Sequence, residues 1–334
     1  MASDVALDIG TAYTRLATED RGVVFNEPTI VAIDTSNGEV VDIGYGAMHA
    51  VGTSTRHIVA FRPFAKGATV DFDVTTRLIS AVFLRAGFSR MSRLRVIMSV
   101  PTLATAIERR ALRQAAVQAG ASDVSLIETP MVAAIGLGMP IEEPVGSAIA
   151  VLGAGSSEIA LIALGGIVTG GSLRVGGNDL DASIGTIIRQ LYGVVVSPTL
   201  LEDLKMGLAS ALGRTDGDVR VVQARTVDRG KAVSVEVPAK QINTSIVDNI
   251  NATIRMMQEC LGESPPDLAQ DVLTHGLTLA GGHARLTDFA EFIGKETGVD
   301  VRVAPTPELV VINGLQKCLG EMRSLHKLFR EADR

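Results

Sequence analysis

The apolar and polar positions of this chain divide it into short strands and amphipathic helices. Val5-Ala6-Leu7-Asp8-Ile9-Gly10 is an apolar run closed by Asp and Gly, which predicts a strand entering a tight turn. A second run covers Val23 to Ile33, and Asn37-Gly38 marks a turn between strands. Residues 94–100 predict a buried strand stopped by Pro101. Ile107, Ala111, Leu112, Ala115 and Val117, separated by Arg and Gln, predict a helix over 105–119. Val124 to Ile127 is strand-like again, and Met131 to Leu137 is a helix of small residues after Pro130.

The pattern then repeats. Residues 147–151 run into Leu152-Gly153-Ala154-Gly155-Ser156-Ser157, and a further strand spans Glu158 to Leu164. Two strand–glycine turn–strand units separated by helices imply an internally duplicated α/β protein. Segment 216–238 alternates like a peripheral hairpin, and helical periodicity returns at 239–262, ahead of Pro265-Pro266. Leu277 to Gly282 forms a last strand and glycine turn, and a final helix carries Leu315, Leu319, Met322 and Leu325.

Composition bounds this picture. A chain of 334 residues suits two domains sharing a cleft, and 46% hydrophobic residues supply a large core. The net charge of −6 gives no global case for nucleic acid. Cys260 and Cys318 are far apart, make no metal-ligand spacing, and suit buried thiols in a reducing cytosol. The start MASDVALDIG lacks a cationic leader, and no apolar run is long enough to cross a bilayer. The expectation is a cytoplasmic protein, at most peripheral at a membrane.

A turn after a buried strand points backbone N–H groups into a cleft, and small residues let a phosphate approach them. Asp8-Ile9-Gly10-Thr11-Ala12 and Gly153-Ala154-Gly155-Ser156-Ser157 both have that chemistry, with Gly281-Gly282 as a third glycine turn. Asp8 to Thr14 resembles the first phosphate loop of the MreB family of bacterial actin homologues, and Asn26-Glu27-Pro28-Thr29 is similar to the next segment of that family. Glu108-Arg109-Arg110, Ala119 to Ser122, Ile127-Glu128, Pro130-Met131, Ala133 to Gly136, Arg174 to Gly177 and Ser264 to Leu268 continue a collinear likeness over the whole chain.

The resemblance implies an actin-like α/β fold, the duplicated ribonuclease H-like type, closing over ATP and Mg²⁺. Domain I would span residues 1–140, with an outer subdomain at about 30–75 and a C-terminal helix at about 315–334. Domain II would span 141–314, with an outer subdomain at about 190–245. It also implies cytoskeletal filaments beneath the inner membrane that guide cell-wall synthesis. The partners would be further copies, an intact paralogue or proteins of the shape complex, with no nucleic acid.

By resemblance the nucleotide lies on Thr11, Ala12 and Tyr13, on Gly153, Ala154, Gly155 and Ser156, on Glu202 and Lys205 around the adenosine, and on Gly281, Gly282, His283 and Ala284 at the adenine turn. Asp8 would stand near the hydrated metal. The pattern is broken at several of these positions. Tyr13 replaces an Asn, Ala154 a glycine, and Val151 the acidic residue of the second turn. Thr129 stands where the family keeps the Glu that positions the attacking water. An acid–base group is worth ~10²–10⁴ in rate. Neighbouring Glu128 is a poor substitute, because adjacent strand residues face opposite ways. Gly207 replaces a ribose-contacting Glu whose hydrogen bond is worth roughly 1.5–3 kcal/mol. His283 replaces a glycine, and either stacks on the base or faces solvent and occludes the pocket. Together these changes predict weak ATP binding and little or no hydrolysis, so the chain is read as leaning away from an enzyme.

Phe88, Met91 and Leu94, set among Arg90, Arg93 and Arg95, occupy a position that resembles the family's hydrophobic membrane loop. The same residues equally suit a core-packed loop with an arginine rim. Lys317, Arg323, Lys327 and Arg330 read as a solvated helix face. The expected function is a filament or scaffold in cell-shape or spore-wall morphogenesis with little nucleotide turnover. The alternatives are an active ATP-fuelled, membrane-associated filament and a regulatory module that does not polymerise.

Overall fold

The computed structural model describes residues 3–53, 57–89 and 92–320. The first half opens with an antiparallel meander of β1 (Ser3–Ile9), β2 (Tyr13–Thr18) and β3 (Gly22–Pro28). An outer layer comes next: β4 (Val31–Asp34), β5 (Val40–Ile43), α1 (Gly44–Thr53), β6 (Ile58–Phe61) and the short hairpin β7 (Phe64–Ala65) with β8 (Ala68–Thr69). Helix α2 (Phe72–Arg85) returns the chain to β9 (Leu94–Val100), α3 (Ala106–Gln118) and β10 (Ala121–Glu128). The resulting sheet has the order β3-β2-β1-β9-β10, with β9 and β10 added in parallel.

Helix α4 (Thr129–Leu137) carries the chain into a second meander, β11 (Ser147–Leu152), β12 (Ser157–Ala163) and β13 (Gly166–Leu173). Helix α5 (Gly177–Tyr192), β14 (Val194–Val195), α6 (Pro198–Leu208), β15 (Val219–Thr226) and β16 (Ala232–Pro238) come next, and β14 to β16 form an outer sheet. The chain ends in α7 (Ala239–Gly262), α8 (Pro266–His275), β17 (Leu277–Ala280), α9 (Phe289–Thr297), β18 (Val301–Val303) and α10 (Val310–Gly320). The second large sheet has the order β13-β12-β11-β17-β18. Both sheets therefore place a three-strand meander beside two parallel strands, which is the duplication the repeated turns imply.

Every residue of β11 and β12 is buried, as expected for strands covered on both faces. One apolar cluster packs the first sheet against α2 and α3, and another packs the second sheet against α5 and α7. A third joins the halves: Ala6, Ala17, Ile97, Ile149, Val151 and Ala280 from both sheets meet α4 and α10. α4 and α10 approach closely at glycines, since a Cβ on Gly314 would lie 1.9 Å from the Val132 carbonyl oxygen.

Three sequence expectations change. The run Val23 to Ile33 divides into β3 and β4 because the Thr29 hydroxyl donates to the Gly10 carbonyl and turns the chain there. Thr105 and Glu108 form a capping box on α3 that leaves Ile107 81% exposed and Val117 also outward, while Leu112, Ala115 and Ala116 are buried. The last helix starts at Val310, and Lys317 caps α4 by donating to the Gly136 carbonyl at 2.8 Å instead of being merely solvated. Met322, Arg323, Leu325, Lys327 and Arg330 lie outside the described residues. Cys260 and Cys318 are buried and make no disulfide among the described residues, and burial pushes the Cys260 thiol up. Among the described residues no helix is long and apolar enough to cross a membrane.

Candidate nucleotide cleft

The turns after β1 and β11 have the same construction. Gly10 N–H donates to the Tyr13 carbonyl at 2.9 Å, and Gly153 N–H donates to the Ser156 carbonyl at 2.8 Å. The start of α5 is stapled to the second turn, with Gly177 N–H on the Gly153 carbonyl and Asn178 N–H on the Ala154 carbonyl. The two turns meet across the cleft at Gly155. A Cβ there would lie 2.3 Å from the Thr11 hydroxyl and 2.8 Å from the Lys66 backbone nitrogen. Lys66 and Gly67 form the tip of the β7–β8 hairpin, both at positive φ, so the outer layer of the first half dips into the cleft. The Lys66 ammonium reaches Asp179 at 3.3 Å, just inside α5.

Beneath the turns the two halves place equivalent strand partners. Asp8 faces Arg15 across β1 and β2, and Val151 faces Glu158 across β11 and β12. Asp8 is engaged at both oxygens: Ser99 donates at 2.8 Å and the Arg15 guanidinium lies 3.5 Å away. Arg15 also sits 5.3 Å over the Tyr13 ring. The Tyr13 hydroxyl is 3.4 Å from that of Tyr45, and this contact, with burial, pushes its pKa up to about 12. In the second half Val151 is 7% exposed and belongs to the apolar layer between the sheets. Glu158 is buried, which pushes its pKa up to about 7 although Thr102 of the first half donates its N–H and hydroxyl to it.

The acid next to Thr129 is committed elsewhere. Glu128 accepts from Arg109 at 2.9 Å, so one of its carboxylate oxygens is engaged in an ion pair. Glu202 is exposed and close enough to Tyr13 to raise its pKa. Lys205 is buried, donating to the Gly177 carbonyl and pairing with Asp181 at 2.9 Å. A Cβ on Gly207 would meet the Arg220 guanidinium, which itself donates to the Asp203 carbonyl.

The adenine turn differs from expectation. Gly281 is required, because at φ +86° a Cβ would lie 2.2 Å from the Leu152 carbonyl oxygen. Gly282 is exposed. His283 neither faces solvent nor caps the pocket mouth: it is 6% exposed, its ring 5.2 Å from that of Phe289, and both ring nitrogens lack a partner. Burial, aided by Lys205, lowers its pKa to about 3. The ring packs on Phe289 in the core of the second half, an environment that favours the neutral imidazole. Ala284 is also buried, in the core of the second half, so its side chain does not line the cleft.

In the loop before β9, Leu94 and Phe88 follow the core-packed alternative and not the membrane-loop one. Leu94 is 2% exposed and begins β9, so it cannot enter lipid. Phe88 is half-buried against the first core, with Arg21 5.9 Å over its ring. Met91 lies outside the described residues.

Sequence reasoning missed Arg15, Lys66, Asp179, Thr102 and Arg220. Arg15 had a signal: a turn that pairs Gly10 with Tyr13 puts residue 15 opposite residue 8. The turns suit a polyphosphate, but the residues present do not suit magnesium. That ion takes oxygen ligands from one or two carboxylates, waters and phosphates. Here one carboxylate is paired with a guanidinium and its counterpart is Val151. Among the described residues no group of three or more His, Cys, Asp or Glu is arranged to hold a metal ion.

The MreB/Mbl protein family profile matches residues 2–327. The chain belongs to the MreB/Mbl family. The cell shape-determining protein MreB of Escherichia coli K12 is 33% identical over 332 residues, covering 97% of this chain and 95% of that one. The cell shape-determining protein Mbl of Bacillus subtilis 168 is 30% identical over 327 residues, covering 98% of each. The MreB5 structure of Spiroplasma citri bound to ADP superposes with a TM-score of 0.89 at 26% identity, covering 98% of this chain and 99% of that chain. The same protein bound to AMPPNP gives 0.89 at 25% identity. The MamK double helical filament subunit shares the fold, with a TM-score of 0.80 at 17% identity. The fold is thus the actin-like one, and the departures above are departures within the MreB/Mbl family.

Proposed function

We propose that this chain is a filament or scaffold subunit of a cell-shape system, built on the MreB architecture and working with weak nucleotide binding and little or no ATP turnover. Relatives named for cell-shape determination support the role, and the fold shared with a filament subunit supports self-association. One observation carries the low turnover: the acids beside the turns are engaged by neighbouring side chains or replaced. Asp8 is held by Arg15 and Ser99, Glu128 is held by Arg109, and Val151 and Thr129 cannot act as bases. A positioned acid–base group is worth ~10²–10⁴ in rate, so its loss lowers turnover by about that factor. The nucleotide would lie on the two turns, with Thr11, Gly155 and Ser156 nearest the phosphates. The partners are further copies of this chain or an intact MreB paralogue, at the inner face of the plasma membrane.

Sedimentation with and without ATP, run beside a phosphate-release assay, tests this reading. Pelleting that does not depend on hydrolysis, with phosphate release at the buffer level, is expected. Pelleting gated by ATP, with sustained release abolished by Asp8→Ala, would overturn it in favour of an active ATP-driven filament.

A further inference from the structure

We propose that the cleft takes a nucleoside polyphosphate without a divalent cation, the Arg15 guanidinium neutralising Asp8 where an ion would otherwise do so. This rests on the reading of the cleft as a nucleotide site.

Strand register creates the pair. Asp8 and Arg15 are direct partners across β1 and β2, so backbone pairing fixes the guanidinium beside the carboxylate. The pair is shielded, with side-chain exposures of 12% for Arg15 and 13% for Asp8. Ser99 occupies the other carboxylate oxygen. Arginine stays protonated at any working pH, so this cation cannot be discharged to make room. A divalent ion brought to Asp8 would meet a like charge where water screens poorly. The equivalent carboxylate that would offset that repulsion is absent, because Val151 lies in the apolar layer.

Phosphate charge still needs an answer, and the cleft supplies one. Lys66 stands at the hairpin tip where the two turns meet at Gly155. Its side chain is 57% exposed and its ammonium pairs with Asp179, so it can swing to a phosphate oxygen. Lys66 thus supplies one positive charge to the phosphates, while the Arg15 charge offsets Asp8, which would otherwise repel them.

The test is calorimetric titration of the full chain with ADP and with ATP, in millimolar magnesium and again in excess EDTA. Wild-type affinity should agree within about twofold between the two conditions. Arg15→Leu should weaken metal-free binding by about tenfold or more and make binding magnesium-dependent, whereas Arg15→Lys should keep metal-free binding. A wild-type affinity that rises about tenfold or more with magnesium overturns the proposal. So does an absence of heat with either nucleotide in either condition, or an Arg15→Leu variant that binds as wild type in EDTA. Circular dichroism melts check folding, and if Arg15→Leu does not fold, the wild-type pair of titrations with Arg15→Lys decides. Magnesium-dependent binding without phosphate release would sink this proposal alone, leaving the scaffold reading intact.

Discussion

Glu158 takes up a proton near pH 7 because burial in β12 strips more water from its carboxylate than the two Thr102 hydrogen bonds replace. His283 goes the other way, losing its proton down to about pH 3 in the apolar contact with Phe289. Linkage gives the signs. Between the ordinary 4.5 and about 7, the folded state holds a proton on Glu158 that the unfolded chain has released, so stability falls as pH rises through that window. Between about 3 and the ordinary 6.5, the unfolded chain protonates the histidine and the folded state does not, so stability rises with pH. From 4.5 to 6.5 the two slopes oppose each other. Glu158→Gln should therefore show stability climbing with pH over that range relative to wild type, and His283→Phe should show it declining. Urea midpoints at closely spaced pH steps measure this, and two variants with parallel profiles would refute the assignment. Neither group is readable as buried from sequence. Glu158 follows Ser156-Ser157 and His283 follows Gly281-Gly282, and only the packing of β12 against Thr102 and of residue 283 against Phe289 removes them from water.

At the level of elements, the contact between α4 and α10 shows where sequence patterning stops. Runs with a plain period can be read directly. β9 covers Leu94–Val100 and α7 covers Ala239–Gly262, the bounds that periodicity predicts. The repeated glycine turns likewise reveal the duplication, because each closes an apolar strand. The close approach of α4 and α10 has no local signal, since Gly136 and Gly314 lie far apart in the chain. The Lys66 hairpin is similar, its two strands being only two residues each. Glycine identity at these contacts is a packing requirement, which a pair of substitutions can separate from helix propensity. Gly314→Ala puts a Cβ 1.9 Å from the Val132 carbonyl oxygen, and forcing the helices apart should cost about 1–3 kcal/mol. Gly262→Ala, in the last turn of α7, meets nothing within 4 Å and should gain up to about 1 kcal/mol. Chemical denaturation of both variants decides the matter, and equal effects would mean that the interhelical contact is looser than the geometry implies.

For the whole molecule, the question is what holds the halves closed over the cleft. Among the described residues two exposed ion pairs cross it: Lys66 to Asp179 at 3.3 Å, and Arg174 to Glu108 at 2.5 Å. Exposed pairs of this kind are worth about 0.2–1 kcal/mol each and weaken with salt. Glu158 and Thr102 make the third crossing, and the Glu158 carboxylate there is buried. A hydrogen bond to a charged or strongly polar buried acceptor contributes about 1.5–3 kcal/mol, and breaking it leaves an unsatisfied group besides. Among these polar crossings the buried one should therefore dominate, added to the apolar layer that already joins the two sheets. The double variant Lys66→Ala with Arg174→Ala should scatter X-rays at small angles as wild type does, and salt at about one molar should leave the radius of gyration unchanged, although screening there reaches in to about 3 Å. Glu158→Ala removes the acceptor and strands the Thr102 N–H, so its radius of gyration should rise and protease cutting between the halves should quicken. If salt or the double variant opens the molecule while Glu158→Ala does not, closure belongs to the surface charges. In the expected order, a closed cleft is a property of the chain's own buried contacts.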